Sequence, residues 1–380
     1  MNPELRIPFN KPWLSGRELE YVRHVIELGH SSGDGSYTRR CHALLEKELG
    51  VSKVLLTTSC THALEMAALL LDLKPGDEVI VPSFTFVTTV NSFVLRGARP
   101  VFADIRPDTL NLDEEKVEEL ITPRTRAIFP VHYAGVGCEM DRLLEIAQRH
   151  NLAVVEDNAH GLFGKYRGRW LGTFGALATQ SFHETKNFTC GEGGALLIND
   201  LAFLERAEIL REKGTNRAHF FRGQVDKYSW VDLGSSYLPS DILAAYLTAQ
   251  LEAREVIQTR RRRVWDTYAR ELAVWAAKHG VRLPVVPAHC EHPSHMFYLL
   301  LPSLEQRQAL IRHLRARGIL AVFHYLPLHL SEMAARIGAT GRCPVTCEVS
   351  DKLLRLPFYN DLTEDDQAQV IAALHDFSWS

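Results

Sequence analysis

The stretch ATQSFHETKNFTCGEGGALLIND, residues 178–200, places a lysine and a glycine run between two strand-like segments. Apolar and β-branched residues predict strands over 178–183 and 194–200. Lys186 follows the first strand, and the glycines would let the backbone pass close to a ligand. Lys186 is either an ordinary surface lysine or one that bonds covalently to a cofactor. A zinc-protease helix would need His at position 187, where Asn187 stands.

The same strand pattern recurs towards the N-terminus, with helical stretches between many of the strands. We predict further strands over 54–57, 78–83, 99–105, 125–133 and 152–157. Strands that alternate with helices predict an α/β fold with an open, largely parallel sheet. Such sheets bind ligands beyond the carboxyl ends of their strands. We therefore assign residues 1–245 to one large domain.

After about residue 240 the pattern changes, and residues 246–380 are predicted to form a long connecting helix and a smaller domain. We expect one helix from 241 to about 278, strands near 296–301 and over 319–325, and a closing helix after Thr363. A capping box of Ser303 and Gln306 would open another helix. The run Arg260 to Arg263 is interpreted as the solvated face of the long helix rather than a nucleic-acid patch.

The composition excludes several classes of protein. With 380 residues, 46 % apolar and 23 % charged, the chain resembles ordinary soluble proteins. A net charge of −3 gives no electrostatic reason to expect nucleic acid or acidic lipid. We expect no signal peptide, no membrane span and no metal site. Seven cysteines without a framework indicate reduced thiols and a cytoplasmic location.

Hydroxyl residues follow the strand over 54–57, just where a helix should begin near Thr61. Free N–H groups and the helix dipole at such a start suit a phosphate. Ser59 and Thr61 add hydroxyl groups, although simple N-capping would explain them equally well. Ser181, at the end of another strand, could also bind phosphate.

Glu156 and Asp157 end the strand over 152–157, where one carboxylate could hold the nitrogen of a pyridine ring protonated. Capping of the next helix is the alternative explanation. His160 lies three residues further on, within reach of the same ring, though a lone histidine is more often a packing residue. Phe84 and Phe86 follow the strand over 78–83. Two such aromatic residues are usually core, but one could stack on a flat cofactor.

In these motifs the chain resembles the pyridoxal-phosphate-dependent sugar aminotransferases of fold type I, the DegT/StrS type. The resemblance covers nearly the whole chain and includes VVEDNAHG (154–161), SFHETKN (181–187) and GEGGALLIND (191–200). It implies pyridoxal 5'-phosphate, a mostly parallel seven-stranded sheet domain and a smaller C-terminal α/β domain. By this resemblance, Lys186 would bond the cofactor and transfer protons, and Asp157 would pair with the pyridine nitrogen. Phe86 would stack on the ring, and His160 would lie near it. The phosphate would be bound by Ser59, Cys60, Thr61 and Ser181.

The resemblance also implies a homodimer whose sites lie at the subunit interface. In much of the family, an Asn-Tyr-Arg segment of the neighbouring subunit completes the phosphate site. Ser236 stands here where that asparagine is usual, within GSSYLPS (234–240).

Residues 124–143 and 211–247 resemble, more narrowly, the subgroup that makes dTDP-4-amino-4,6-dideoxygalactose for enterobacterial common antigen, in lipopolysaccharide-type biosynthesis. This implies a dTDP-4-keto-6-deoxy-D-glucose acceptor and an L-glutamate donor. His324, Tyr325 and His329 are candidate substrate residues, and packing between domains would explain them almost as well. The alternative substrates are other nucleotide-linked keto sugars, with a different keto position or an equatorial amine product.

One other enzyme function on the same scaffold and two different classes of protein are alternatives to this assignment. Lys186 argues against the dehydratase relatives, which carry histidine at that position. A DNA-binding regulator would need a basic winged-helix segment, which the chain lacks. A purely structural module would have no reason to keep Lys186, Asp157 and the phosphate turn together.

Overall fold

The computed structural model describes residues 5–379, and a seven-stranded sheet organises their first half. Its strands are β1 (Lys53–Thr57), β2 (Glu78–Pro82), β3 (Arg99–Ala103), β4 (Thr125–Ile128), β5 (Ala153–Asp157), β8 (Leu177–Ser181) and β9 (Gly194–Ile198). The two-residue strands β6 (Lys165–Tyr166) and β7 (Arg169–Trp170) lie outside this sheet. The order is β1-β9-β8-β5-β4-β2-β3. Only β9 runs antiparallel to its neighbours, so the predicted seven-stranded, mostly parallel sheet is confirmed.

Nearly every strand residue is buried because helices cover both faces of this sheet. The helices of this part of the chain are α1 (Glu18–Glu27), α2 (Ser36–Leu49), α3 (Cys60–Leu70), α4 (Val87–Val94), α5 (Met140–His150), α6 (Leu204–Arg211), α7 (Arg217–Phe221) and α8 (Asp241–Glu252). Along β1, Leu55 packs into the core that contains α3, whereas Val54 and Leu56 face the core that contains α2 and α8. This alternation is what a strand buried on both faces requires.

The C-terminal part has its own hydrophobic core, built on the second half of a long helix. Its elements are α9 (Arg254–His279), β10 (Cys290–Glu291), β11 (Tyr298–Leu300), α10 (Leu304–Ala316), α11 (Glu332–Arg336), α12 (Pro344–Lys352), β12 (Leu353–Arg355) and α13 (Glu364–His375). Tyr268, Leu272 and Trp275 of α9 pack in this core together with Ile7 from the N-terminal segment. The domain boundary at residue 245 stays a prediction.

Two predicted elements of this part are wrong in detail. The helix expected from 241 to 278 is two helices, which meet at Ala253: α8 and the start of α9 pack in one core, and α9 enters the C-terminal core from Val264 onwards. The strand expected over 319–325 is absent from the described chain. Single bridges join Ile319 to Ile7 and Val322 to Arg355, so the segment changes partner before a regular ladder can form.

The expected helix starts at Ser303 and Thr363 are confirmed. The Ser303 hydroxyl accepts a hydrogen bond from the Gln306 amide, and the Thr363 hydroxyl accepts one from the Asp366 amide. The reciprocal half of the predicted capping box is missing, because the side-chain oxygen of Gln306 has no hydrogen-bond partner.

Arg261 corrects the interpretation of the four arginines as a solvated face. It is buried, at 3 % exposure, and donates to the carbonyls of Ser294 and His295. The reason is helical periodicity, since Arg261 falls on the same face as the buried Ile257 and Val264. Arg260 and Arg263 do lie at the surface, where they pair with Asp361 and Glu364.

Candidate active site

A pocket of about 740 Å³ opens at the carboxyl ends of β5 and β8, between the sheet and the C-terminal part. Ten of the residues singled out in the sequence line it: Ser59, Cys60, Thr61, Phe86, Asp157, His160, Ser181, Lys186, His324 and Tyr325. The expected site is therefore one continuous cavity at the sheet edge where parallel α/β folds bind ligands.

The phosphate turn is formed by the first residues of α3. The Ser59 hydroxyl accepts a 3.1 Å hydrogen bond from the His62 amide and caps the helix. The amides of Cys60 and Thr61 come before the first intrahelical bonds, so they remain available to a ligand. A side chain at Gly194 would collide with the backbone of Ser59 and Cys60, which explains the glycine at the start of β9.

The two adjacent carboxylates at the end of β5 have different surroundings. The Glu156 carboxylate accepts hydrogen bonds from the amides of Gly172, Phe174 and Gly175, and it also bonds to His132. All four bonds lie away from the pocket, and Glu156 is fully buried. Because side chains alternate along a strand, Asp157 points the other way and lines the cavity.

Asp157 is held in place by a hydroxyl that sequence reasoning missed. Thr89 on α4 donates a 2.7 Å hydrogen bond to Oδ2 of Asp157, and the Ala159 amide donates to Oδ1. Thr85 bonds in turn to Thr89 at 2.9 Å. These hydrogen bonds fix the orientation of the carboxylate. A carboxylate that pairs with a ring nitrogen needs such a fixed orientation. Thr89 belongs to the stretch TFVTT (85–89), in which the sequence pattern indicated only Phe86 as a candidate site residue.

Lys186 is partly buried in the wall of the pocket, in the turn after β8. Burial lowers the pKa of its ammonium to about 8. The Asp157 carboxylate raises this pKa, while the positive charge of Arg355 lowers it. At pH 7 roughly a tenth of the amine is therefore unprotonated and able to act as a nucleophile or a base, far more than for an ordinary lysine.

Three neutral histidines, His160, His295 and His324, lie close together in the wall of the pocket. The rings of His160 and His295 are stacked with centroids 4.4 Å apart, and His324 bonds to the hydroxyl of Tyr133 at 2.9 Å. Burial and the nearby cations lower the pKa of each of the three well below its usual range. Nδ1 of His160 is buried without a hydrogen-bond partner. Such an orphaned atom is suited to a ligand.

The two phenylalanines after β2 separate into a core residue and a pocket residue. Phe84 is buried against Tyr133, whereas Phe86 lines the pocket with 54 % of its surface exposed. An exposed aromatic ring in a pocket wall is suited to stacking on a flat ligand.

Two of the predicted site residues lie outside this pocket. His329 bonds to the Ser83 hydroxyl at 2.7 Å and contacts Cys347, at the junction between the sheet and the C-terminal part. Ser236 forms a single bridge with Glu212 and is exposed. Ser236 therefore contributes nothing to the pocket of its own subunit.

Sequence reasoning also missed His295 and Arg355, which line the pocket from the C-terminal part. Arg355 interrupts the apolar run Leu353 to Leu356, and that lone charge in a buried strand was the available signal. For His295 we find no comparable signal, since it lies in an irregular segment before β11.

The sequence leads us to expect neither a membrane-spanning helix nor a metal site, and the structure bears on both only for the residues it describes. No helix within residues 5–379 has the length and hydropathy needed to cross a membrane. In the same range, no three His, Cys, Asp or Glu side chains come together as a possible metal site.

The sequence profile of the DegT/DnrJ/EryC1/StrS aminotransferase family matches residues 13–375. An uncharacterized protein of Methanocaldococcus jannaschii is 34 % identical, and the match covers 97 % of this chain and 96 % of that protein. The sugar aminotransferase CalS13 of Micromonospora echinospora superposes with a TM-score of 0.88 at 27 % identity, over 98 % and 100 % of the two chains. The PLP form of Spr1654 from Streptococcus pneumoniae gives 0.89 at 26 % identity, over 97 % of each chain.

Proposed function

The chain belongs to the DegT/DnrJ/EryC1/StrS aminotransferase family, and from this we propose that it transfers the amino group of L-glutamate to dTDP-4-keto-6-deoxy-D-glucose. The product would be dTDP-4-amino-4,6-dideoxy-D-galactose. The family membership makes the protein a pyridoxal-phosphate-dependent aminotransferase that acts on a keto sugar. The sugar, the nucleotide and the amino donor are the proposed parts. The observation that carries the reaction type is that Lys186, Asp157 and the phosphate turn line one pocket.

The residues present fit pyridoxal phosphate. The free amides of Cys60 and Thr61, with the hydroxyls of Ser59 and Ser181, would hold the phosphate. Asp157 would hold the pyridine nitrogen, and Phe86 would cover one face of the ring. When bound, the cofactor supplies an electron sink that stabilises the negative charge left when a proton leaves the substrate carbon.

Lys186 would bond the cofactor and then move the proton during transfer. An amine with a pKa of about 8 can take a proton from one substrate carbon and return it to another at physiological pH. Asp157, fixed by Thr89, would keep a proton on the ring nitrogen throughout. The neutral rings of His160 and His324 would form hydrogen bonds with the bound ligands without adding charge to the reacting centre.

The choice of substrate rests on sequence resemblance outside the cofactor motifs, in residues 124–143 and 211–247. His324 and Tyr325 line the pocket and can bond to sugar hydroxyls, which supports their assignment as substrate residues. His329 would not touch the sugar. Its hydrogen bond to Ser83 would instead help to hold the segment of His324 and Tyr325 in place.

The test is to incubate purified, cofactor-loaded enzyme with L-glutamate and dTDP-4-keto-6-deoxy-D-glucose and to read the product by NMR. The face from which the proton reaches C-4 decides whether the amine is axial or equatorial. A small H-3/H-4 coupling is expected for the axial, galacto product. A large coupling would mean the gluco epimer, and no turnover of this sugar would mean another nucleotide-linked keto sugar.

We also propose that the protein is a homodimer located in the cytoplasm, and that its two subunits share the active sites. Ser236 is exposed and does not line the pocket of its own subunit, which supports a role in the site of a neighbour. All seven cysteines are free thiols, which supports a reducing compartment.

A further inference from the structure

Asn187 follows Lys186 in the chain but does not line the pocket, and its side chain joins the turn after β8 to the segment before β11. Its Nδ2 donates a 2.8 Å hydrogen bond to the Pro293 carbonyl. Its Oδ1 lies 2.8 Å from Nδ1 of His295. Asn187 and His295 are both buried, so these two short bonds hold the amide in one orientation.

These contacts determine which nitrogen of the His295 ring carries the proton. A backbone carbonyl only accepts, so the amide nitrogen of Asn187 must face Pro293 and its oxygen must face His295. That oxygen cannot donate, so Nδ1 of His295 carries a hydrogen. Burial, together with the nearby cations, holds the pKa of His295 well below its usual range. The ring is therefore neutral, and its Nε2 is left as a hydrogen-bond acceptor.

Nε2 of His295 is available to a ligand. Within residues 5–379 this atom forms no hydrogen bond, and protein atoms do not enclose it. His295 lines the pocket, and its ring is stacked on that of His160 with an angle of 21° between the two planes. The stacking and the bond to Asn187 hold the ring from two sides. The pocket thus contains a fixed, uncharged acceptor in the same wall as Lys186.

The two substrates of the proposed reaction differ in what they can donate to such an acceptor. The amino group that is transferred is the only N–H donor of L-glutamate, and the carboxylates only accept. A keto sugar keeps hydroxyl groups on carbons other than the reacting one, and each of them can donate. A neutral acceptor at this place therefore favours the sugar and disfavours a carboxylate.

We infer that Asn187 is a positioning residue, which holds the proton of His295 on Nδ1 so that Nε2 accepts a hydrogen bond from a hydroxyl group of the keto sugar. This inference rests on the proposed function, because it takes a hydroxylated sugar as the amino acceptor. His295 would thereby help one pocket to distinguish the sugar from the amino acid.

The test compares Asn187→Leu, Asn187→Asp and His295→Phe with Asn199→Leu. Leucine has nearly the shape of asparagine but removes both hydrogen bonds. Aspartate also loses the bond to Pro293, but it keeps an oxygen that accepts from Nδ1 of His295. Phenylalanine keeps a ring for stacking and removes the acceptor. Asn199 is the matched control, because its amide donates to two backbone carbonyls at the opposite end of β9 from the pocket.

Each protein is loaded with pyridoxal phosphate and studied at pH 8. Absorbance measures the loading, and thermal melting checks the fold. ¹⁵N NMR of histidine-labelled protein shows which ring nitrogen of His295 carries hydrogen, and the resonances are assigned by their loss in His295→Phe. Calorimetry gives the Kd values for dTDP-4-keto-6-deoxy-D-glucose, dTDP and 2-oxoglutarate. These three ligands have no amino group to transfer, so binding is measured without turnover.

The wild type should carry hydrogen on Nδ1 of His295 and none on Nε2. Asn187→Leu should lose this preference and bind the sugar nucleotide about 3- to 10-fold more weakly, because one hydrogen bond between neutral groups is lost. His295→Phe should weaken binding by a similar factor, and it keeps the test open if Asn187→Leu does not fold. Both variants should bind dTDP and 2-oxoglutarate as the wild type does.

Asn187→Asp separates positioning of the ring from a merely structural role. It should restore the proton to Nδ1 and the affinity for the sugar nucleotide to near the wild-type value, although the bond to Pro293 is still missing. Asn199→Leu should match the wild type in the NMR spectrum and in all three Kd values.

Three results would overturn the inference. Hydrogen on Nε2 in the wild type would make His295 a donor. Equal losses of sugar binding in Asn187→Leu and Asn187→Asp would mean that Asn187 only holds the turn through Pro293. Unchanged sugar binding in Asn187→Leu and His295→Phe would leave the acceptor without this ligand. All three leave the proposed function standing. A wild-type protein that does not bind the sugar nucleotide would overturn the proposed substrate as well, so the two failures are distinguishable.

Discussion

Glu156 and Asp157 are adjacent in sequence, but Glu156 is enclosed by internal partners whereas Asp157 lines the pocket. Glu156 is enclosed by three backbone amides and His132, and it ties the loop after β7 to the sheet. Asp157 has one hydroxyl and one amide as partners, and its remaining surface faces the cavity. The number of internal partners therefore distinguishes the two, although both are acidic residues at the end of the same strand.

Substitution at these two positions should affect different measurements. Glu156→Gln should lower the free energy of unfolding by about 2–5 kcal/mol, since buried charged hydrogen bonds are lost. Asp157→Asn should change stability far less, but it should slow the half-reaction with L-glutamate, because the ring nitrogen is no longer held protonated. Urea denaturation and stopped-flow absorbance measure the two effects. Unchanged half-reaction rates in Asp157→Asn would contradict the role of Asp157.

The acidity of Lys186 gives a second prediction at this scale, and it can be tested without turnover. In the cofactor-free protein, labelling of Lys186 by an amine-specific reagent should rise with pH and reach half its maximum near pH 8, since only the free amine reacts. Asp157→Asn removes a negative charge and should lower this midpoint. Arg355→Gln removes a positive charge and should raise it. Peptide mapping by mass spectrometry follows the label, and a wild-type midpoint near 10.5 would contradict the prediction.

At the scale of elements, α9 joins the two hydrophobic cores to the pocket. Its N-terminal Ile257 packs in the core that contains α8, and Val264 packs in the C-terminal core. Between them, Arg261 holds the carbonyls of Ser294 and His295, and so positions the segment that brings His295 against His160. One helix residue thus fixes one wall of the site.

Removal of this arginine should be much more damaging than removal of its neighbour. Arg261→Met leaves two buried carbonyls unsatisfied and should lower the free energy of unfolding by about 2–5 kcal/mol. Arg260→Met is the matched control, because its pair with Asp361 is exposed and contributes less than about 1 kcal/mol. Urea denaturation compares the two. Equal losses would show that the buried hydrogen bonds of Arg261 contribute little.

The sequence predicted well those features that depend on local pattern. All seven strands of the large sheet were expected, because each is a short buried run of apolar and β-branched residues. Arg261 was misassigned because a run of four arginines hides the one that falls on the buried face. The segment 319–325 was misassigned because its pairing depends on Ile7 and Arg355, which are distant in sequence. His295 enters the pocket only through tertiary packing, which no local pattern records.

At the scale of the whole molecule, one segment of the described subunit, residues 217–236, exposes several large apolar side chains. The exposed large side chains in residues 217–236 are Phe220, Phe221, Tyr228, Trp230, Val231 and Leu233. Apolar side chains concentrated in this way are typical of a contact surface. Ser236 follows directly, so an interface formed by this segment would bring Ser236 towards the partner subunit.

If the sites are shared, two inactive variants should restore each other. Mixing Lys186→Ala with Ser236→Asp subunits gives heterodimers in which one site has both an intact lysine and an intact serine. Activity should rise well above that of either variant alone, towards half of the wild-type value per heterodimer. Native mass spectrometry confirms that heterodimers form. No recovery despite their formation would mean that each site uses residues of one subunit only.

The position of β9 in the sheet has a consequence for synthesis of the chain. β1 is an edge strand, and β9, its only neighbour in the sheet, follows about 140 residues later. At roughly 5–20 residues per second, β1 leaves the ribosome on the order of 10 s before a partner exists. During that time Val54, Leu55 and Leu56 have no sheet to join. We therefore expect the phosphate turn at the end of β1, and the loop of Lys186 between β8 and β9, to reach their final positions only after β9 has been synthesised.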